Sequence, residues 1–558
     1  MTNGAADPPS SQGTRPAGHG DDGIDRGPRN VPLGDLLREA ALESGERVAL
    51  VDGVADPALR RRWTYSELLV QAEQVARGLL ARFQPGAHIA VCAPNSVEWV
   101  ILEYGAALAG MVLVPANPAY RQSELTAILQ DSAASAVFYA DSWRSNDIAA
   151  TVAAVHETAL PDLALLSFSQ WDEFLASGAT TIPLPKVHPR DPVLIQFTSG
   201  TTGRPKGAIL HHGFSNPPRS CANCCDFRQY GTWLNSMPMY HIGGAAVSLL
   251  ATLSRHGVFV QMREWDPALA LELIESESCN AMLLVPTMVA DLLEQPDFVK
   301  HDVSSIDFIL TGGTPVAPAL LERVTKQIGC PLLISFGLTE SGGPVSNTAI
   351  GDGAHELATT LGRALPNVQV EVRDPETTAN LPIGVVGEMW VKSSQIMLGY
   401  YGGEKATQDA ITPDGWLRTG DLAMLDERGY ISIRGRLKDM IIRGGENIYP
   451  LEVEHVLVDH PSVSQAAVVG FPNDKWGEIV LAVVQIAEGQ ALNFEQLDRH
   501  CRERLASYKV PVLWCEIDRF RLNSIGKIQK SELADYVRDG NLKAVSLHAG
   551  EPGQRRAV

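Results

Sequence analysis

Short apolar, β-branched runs alternate along this chain with segments rich in Ala, Leu and Glu, and that alternation predicts strand–helix–strand units. His88-Ile89-Ala90-Val91-Cys92 reads as a strand, residues 97–108 as a helix, and Val112-Leu113-Val114 as the next strand. The texture returns at Ala136-Val137-Phe138-Tyr139 and at Ala281-Met282-Leu283-Leu284-Val285. Repeated units of this kind build parallel sheets covered by helices, an α/β fold. From about residue 364 to residue 433 strands dominate, and turns such as Arg373-Asp374-Pro375 and Asp426-Glu427-Arg428-Gly429 are frequent, which predicts a smaller β-rich subdomain. Beyond Arg436 the chain restarts as a compact unit, with helices expected at 451–458 and 493–505 and strands at 463–469 and 479–486.

Composition narrows the function classes. The chain has 558 residues, 45% hydrophobic and 20% charged, enough for a large core in several domains. Its net charge of −19 argues against a nucleic-acid partner, which calls for a basic surface. It does not exclude an anionic ligand, because phosphate sites use local dipoles and a few cations. The most apolar stretch, residues 99–114, carries Glu103 and several small residues, and reads as a packed helix and strand rather than a membrane span. The first thirty residues are rich in Gly, Pro, Ser and Asp and have no apolar core run, so they read as a disordered tail and not a signal peptide. The last residues are similar. Eight scattered cysteines without a secretion signal suggest a cytoplasmic protein. Cys221, Cys224 and Cys225, with His211 and His212 upstream, raise a zinc reading, but the second ligand pair of a structural site is missing and buried free thiols are the plainer reading.

One stretch carries more chemistry than any other. The strand-like run Pro192-Val193-Leu194-Ile195-Gln196-Phe197 leads into Thr198-Ser199-Gly200-Thr201-Thr202-Gly203-Arg204-Pro205-Lys206-Gly207. Glycines let the backbone turn its N–H groups inward, the hydroxyls add donors, and Lys206 adds a point charge, which together cradle phosphate. It is not a Walker A loop, since Lys206 stands between Pro205 and Gly207.

That stretch resembles the phosphate-binding signature of the adenylate-forming superfamily of acyl-CoA synthetases, luciferases and peptide-synthetase adenylation domains. Further stretches resemble the family's motifs in the family's order. They are Ser335-Phe336-Gly337-Leu338-Thr339-Glu340 for adenine and magnesium, Trp416-Leu417-Arg418-Thr419-Gly420-Asp421 for ribose, Gly435-Arg436-Leu437-Lys438-Asp439 for the hinge, and Asn523-Ser524-Ile525-Gly526-Lys527-Ile528 for the C-terminal lysine loop. Residues 439–450 and Asn117-Pro118-Ala119-Tyr120 are most similar to medium- and long-chain fatty-acyl-CoA synthetases.

The resemblance implies a large N-terminal domain of α/β/α layers with a β-barrel-like part, and a small mobile α+β C-terminal domain. The expected division is a tail at 1–30, an adenylation domain at 31–435, a hinge at 436–438 centred on Lys438, a C-terminal domain at 439–545 and a tail at 546–558. It implies ATP, Mg2+ and CoA as cofactors and co-substrates, and a small-molecule acid as substrate. A carboxylate oxygen attacks the α-phosphorus of ATP and pyrophosphate leaves; a thiol then takes the acyl group.

Residue by residue, the loop from Thr198 to Gly203 with Lys206 would hold phosphates, and Glu340 would ligate magnesium, as hard cations prefer carboxylate oxygen. Gly313, Thr314 and Pro315 resemble the loop along adenine and the acyl group, and residues Ser335, Phe336, Gly337, Leu338 and Thr339 would line the base. Phe336 stands where most of the family has Tyr, so a stacking face remains. Asp421 is expected at a strand end, accepting both ribose hydroxyls, with Arg436 completing the grip. Lys527 would bridge carboxylate and α-phosphate during adenylation, although Phe520-Arg521-Leu522 lacks the proline frequent in relatives. His241, in Met239-Tyr240-His241-Ile242-Gly243-Gly244, would border the acyl pocket, and Gly444 and Gly445 would let pantetheine pass.

Plainer readings accompany several of these. Thr339-Glu340-Ser341 could open a helix, Gly312-Gly313 could be a strand-to-helix turn, His241 could be a satisfied core residue, and Gly444-Gly445 could be a turn pair. At the level of function, the same adenylation chemistry could serve a carrier protein as acceptor, or nitrite activation for diazotisation of an aryl amine in a biosynthetic pathway. A non-enzymatic alternative is a nucleotide-binding regulator that has lost catalysis, against which Glu340, Asp421, Arg436 and Lys527 stand together.

Overall fold

The computed structural model describes residues 27–178, 181–198, 205–313, 316–487, 489–491, 493–522 and 528–547. The expected alternation becomes two large sheets. In the seven-stranded sheet, His88–Cys92, Val112–Ala116, Ala136–Tyr139, Ala164–Ser167 and Pro192–Thr198 run parallel, and Lys206–His211 and Gly399–Tyr400 continue it antiparallel at one edge. The nine-stranded sheet has a parallel centre that includes Ala281–Leu283, Phe308–Gly312 and Leu332–Leu338. Its antiparallel extension at one edge is Gly343–Asn347 and Arg363–Ala364. Helices such as Val97–Leu108, buried along nearly its whole length, fill the space against these sheets. That helix fits the all-round apolar pattern of residues 97–108.

The β-rich texture after residue 364 forms a separate four-stranded antiparallel sheet, Gln369–Arg373, Gly387–Lys392, Leu417–Leu425 and Ile431–Arg436. The C-terminal unit has its own six-stranded sheet with helices Pro450–Val458, Phe494–Arg502 and Leu533–Arg538. Among the described residues its apolar clusters draw only on positions from Ile441 onward, while the buried clusters of the larger part end at Ile431. The chain therefore has an α/β-layered N-terminal domain and a smaller C-terminal domain.

Several boundaries differ from the pattern-based expectation. The strand expected at 463–469 runs Val463–Asn473, because it pairs with Gly477–Ile486 along its length and the hairpin ends only at Asn473↔Gly477. The strand expected at 281–285 stops at Leu283, since Val285 already caps the helix Pro286–Leu293. The helix expected at 493–505 is Phe494–Arg502, with the Asn493 side chain accepting the Gln496 N–H at its start.

The cysteine–histidine group resolves into packing. Cys221 and Cys225 lie one turn apart on the helix Asn216–Cys224 and at its cap, both buried, and Asn347 Nδ2 donates to both, at 2.8 and 3.5 Å. His211 caps the following turn through the Gly213 N–H, and His212 Nδ1 accepts the Leu33 N–H at 3.1 Å. Among the described residues no three His, Cys, Asp or Glu side chains converge to hold a metal ion. Among them, too, no helix is long and apolar enough to cross a membrane.

Candidate active site

The two large sheets meet at the phosphate-loop candidate. Pro192–Thr198 and Lys206–His211 are antiparallel neighbours, with Thr198 opposite Lys206, so the loop between them closes at its base like a hairpin. Ser199, Gly200, Thr201, Thr202 and Gly203 lie outside the described residues. At the base, Thr198 Oγ1 lies 3.4 Å from the Lys206 carbonyl and 3.3 Å from Glu340 Oε1, two acceptors for its single proton.

Glu340 arrives from the other sheet. Leu332–Leu338 and Gly343–Asn347 pair antiparallel, and Thr339-Glu340-Ser341 is the turn that joins them. The alternative of a helix opening there is corrected: Ser341 Oγ bonds the Leu338 and Gly343 carbonyls and accepts the Leu338 N–H, and Gly342 N–H reaches the Thr339 carbonyl, which close a tight hairpin turn. Glu340 is half-buried, its backbone carbonyl is held by the Met397 N–H, and its Oε1 also accepts from the Tyr400 hydroxyl at 2.9 Å. Lys206 Nζ lies 5.3 Å from the centroid of the same Tyr400 ring.

Sequence reasoning missed Tyr400. Sixty residues separate it from Glu340. Only the pairing of Gly399–Tyr400 with Lys206–His211 carries it to the site, and no local spacing announces that contact. Burial first, and then the Glu340 carboxylate, push the Tyr400 phenol well above its ordinary value, so it stays protonated and donates.

The adenine-side candidates lie alongside. Ser335, Phe336, Gly337 and Leu338 form the end of their strand, and Ser335 is the register partner of Gly312. Gly313 follows with a positive φ of 82°. The strand Phe308–Gly312 ends just ahead of Gly313, and the next helix starts at Pro318. Thr314 and Pro315 fall outside the described residues.

Asp421, expected at a strand end, lies inside Leu417–Leu425. Pairing with both neighbouring strands slips next to it, between Glu388 and Trp390 on one side and between Leu422 and Ala423 on the other. Gly420, with φ of 69°, takes the left-handed turn of that distortion at little cost. Buried Glu388 supports it, accepting from the Gly420 N–H at 3.2 Å and the Trp390 indole N–H at 2.8 Å, and pairing with Arg418. Opposite Asp421 stands Arg436, its Nε 2.9 Å from Asp421 Oδ1; the Asp421 side chain is 4% exposed and that of Arg436 43%.

His241 is half-buried and its Nδ1 accepts the Gly243 N–H at 3.1 Å. The segment ahead of it is fixed by Asn95, which binds the Met237 carbonyl and the Met239 N–H. Lys438 is exposed in the short 3-10 turn Leu437–Asp439 between the four-stranded sheet and the C-terminal one. Gly444 and Gly445, φ 61° and 91°, are the two-residue turn of the hairpin Ile441–Arg443 and Glu446–Ile448, where both positions need the left-handed region. The Trp476 ring covers Gly444 closely, and Arg443 and Lys475 both lie over its face. Lys527 lies outside the described residues. The segments on either side of it are tied by an isolated Leu522↔Ile528 bridge and the Gln529 N–H to the Arg521 carbonyl.

Residues 37–401 match the family model described as AMP-binding enzyme, and residues 452–527 that of the AMP-binding enzyme C-terminal domain. A medium-chain acyl-CoA ligase, the mitochondrial ACSF2 of Danio rerio, is 34% identical over 511 residues, which cover 85% of this chain and 84% of that protein. The ATP-bound crystal structure of MatB from Rhodopseudomonas palustris superposes with a TM-score of 0.82 at 28% identity, covering 92% of this chain and 99% of that one. A Mycobacterium tuberculosis fatty acyl CoA synthetase superposes with a TM-score of 0.75 at 31% identity, covering 91% and 99%.

Proposed function

We infer that this chain, which belongs to the AMP-binding enzyme family and is an AMP-forming acid–CoA ligase, activates a medium-chain fatty acid with the residues assembled around the Thr198–Lys206 hairpin base. Its activity is ATP-dependent formation of an acyl adenylate with release of pyrophosphate, followed by transfer of the acyl group to CoA.

The observation that carries the residue assignment is the convergence of Thr198, Lys206 and Glu340 from two different sheets. Two anions must meet in the first step, so the site must neutralise charge where it develops. Thr198 and Lys206 present a donor and a cation to the β- and γ-phosphates, with the loop between them. Glu340 fits a Mg2+ ion: both hydroxyls that reach it use Oε1, and among the described residues Oε2 takes no donor. When bound, that ion screens phosphate charge. Asp421 accepts ribose hydroxyls while Arg436 fixes its carboxylate. Lys527 neutralises the carboxylate and α-phosphate oxygens in adenylation alone. In the second step Gly444 and Gly445 let the pantetheine arm pass, and Trp476, with Arg443 and Lys475 over its face, offers a stacking plane and positive charge for the nucleotide end of CoA. A turn about Lys438 exchanges the two arrangements. The substrate class rests on likeness to the medium-chain ligases.

The test separates the half-reactions. Pyrophosphate release and thioester yield are measured with straight-chain acids of graded length, with CoA or a phosphopantetheinyl carrier protein as acceptor. The expected result is a maximum at medium chain length with CoA. Lys527→Ala should slow pyrophosphate release by about two to three orders of magnitude, the range for one lost transition-state donor, and largely spare thioester formation from supplied acyl adenylate. Equal damage to both steps removes Lys527 from this role, and thioester formed only on the carrier protein overturns CoA as acceptor.

A further inference from the structure

Tyr400 touches both charges of the phosphate site. Its hydroxyl donates to Glu340 Oε1 at 2.9 Å, and its ring lies beneath the Lys206 ammonium at 5.3 Å. The donor direction is forced, because a carboxylate can only accept. Among the described residues the cation and the carboxylate make no direct ion pair with each other; both meet the same tyrosine, and the carboxylate also meets the Thr198 hydroxyl. Opposite charges this near one ring could otherwise collapse together and neutralise the site before ATP arrives.

The backbone at Tyr400 is held from three directions. Leu398 N–H reaches the Ile209 carbonyl and Tyr401 N–H the Gly207 carbonyl, each at 2.8 Å, which docks the segment on the strand that begins with Lys206. Tyr400 N–H donates to Thr407 Oγ1 at 2.8 Å, and that hydroxyl donates in turn to the Gly403 carbonyl. A ring mounted on so constrained a backbone can hold a position rather than follow its neighbours.

We propose that Tyr400 is a positioning residue for ATP activation, its hydroxyl fixing the Glu340 carboxylate with Oε2 presented to a divalent cation and its ring seating the Lys206 ammonium for the phosphates. The proposal rests on the reading of Glu340 and Lys206 given above. The two functions are separable, because Tyr400→Phe removes the hydroxyl and keeps the ring, whereas Tyr400→Leu removes both.

The experiment is calorimetric binding of ATP, in EDTA and in excess Mg2+, to the full-length parent, Tyr400→Phe, Tyr400→Leu and Glu340→Gln proteins, with the Mg2+ dependence of pyrophosphate release measured alongside. In Tyr400→Phe the affinity for ATP in EDTA should stay at the parental value while the half-saturating Mg2+ concentration rises about tenfold, the weight of one hydrogen bond to a charged acceptor. In Tyr400→Leu the affinity in EDTA should also fall, by about two- to fivefold, from the lost cation–π seat. Tyr400→Phe with the parental Mg2+ dependence, while Glu340→Gln loses it, overturns the role of Tyr400 and leaves Glu340 as the metal carboxylate. Glu340→Gln with the parental Mg2+ dependence overturns both. A uniform loss of affinity in EDTA and in Mg2+ for Tyr400→Phe marks general disruption and also overturns the proposal.

Discussion

Asp421→Asn is the sharpest probe of the ribose assignment. The substitution is nearly isosteric at a side chain only 4% exposed, so it changes charge and hydrogen-bonding capacity with little change of shape. A carboxylate offers about four lone pairs, so Asp421 has the capacity to accept two ribose hydroxyls besides the Arg436 Nε–H. Each hydroxyl-to-carboxylate bond contributes about 1.5–3 kcal/mol. Asparagine keeps one acceptor oxygen, so one bond weakens and the other is lost, a deficit of about 2–4 kcal/mol, or about 30- to 900-fold in kcat/KM for ATP. The cost in stability should be far smaller. Arg436 is 43% exposed and can turn to water when its partner loses charge, so the pair is worth at most about 1 kcal/mol. The assay compares ATP with 2′-deoxy-ATP and 3′-deoxy-ATP in pyrophosphate release. The parent should prefer ATP by about tenfold or more over each analogue, and Asp421→Asn should lose most of that preference. A variant that is slow but still discriminates against the deoxy analogues as the parent does would refute the reasoning, because Asp421 would then act by holding Arg436 rather than by touching the sugar.

Two further predictions concern other parts of the molecule. Gly444→Ala places a methyl 2.7 Å from the Trp476 ring on a backbone at φ 61°. It should cost about 1–2 kcal/mol in left-handed strain and raise KM for CoA, as Gly445→Leu should, while pyrophosphate release persists; an unchanged KM for CoA in both variants excludes the passage. Burial pushes the His212 imidazole down to about 4, consistent with a neutral ring whose Nδ1 accepts the Leu33 N–H and whose buried Nε2 has no acceptor among the described residues. Between about pH 6.5 and pH 4 the unfolded chain therefore binds a proton that the folded one refuses, and stability falls as pH falls, by about 2 kcal/mol at pH 5. His212→Asn keeps an acceptor for Leu33 and should flatten that slope in urea midpoints taken at pH 7 and pH 5; an equal slope in both proteins removes His212 from the account.

The architecture was readable where local pattern and tertiary partner agree. The run Pro192–Phe197 is apolar because it lies inside a sheet, and the hydroxyls and glycines after it are dense because the strand must end and turn there. The residue types of Glu340, Asp421 and Arg436 were also legible, since each sits in a motif of contiguous residues. Their settings were not. Thr339-Glu340-Ser341 has the composition of a helix start, and only pairing with Gly343–Asn347 makes it a hairpin turn. Asp421 looks terminal because Thr419-Gly420 resembles a turn, yet neighbouring strands on both sides carry the distortion through. Tyr400 and Glu388 were invisible for the same reason: each acts on residues about thirty to sixty positions away, through sheet register that no local spacing encodes.

The separation of the apolar clusters at the boundary after Ile431 bears on how this protein loses its structure. Among the described residues the two parts share no buried cluster, so heat or denaturant is expected to act on two populations of bonds with different exposed areas. One melting temperature would then average two events. A nucleotide bound to only one part would raise one event alone, by mass action. Ligand-induced shifts should therefore be assigned to a part of the chain before they are converted into affinities.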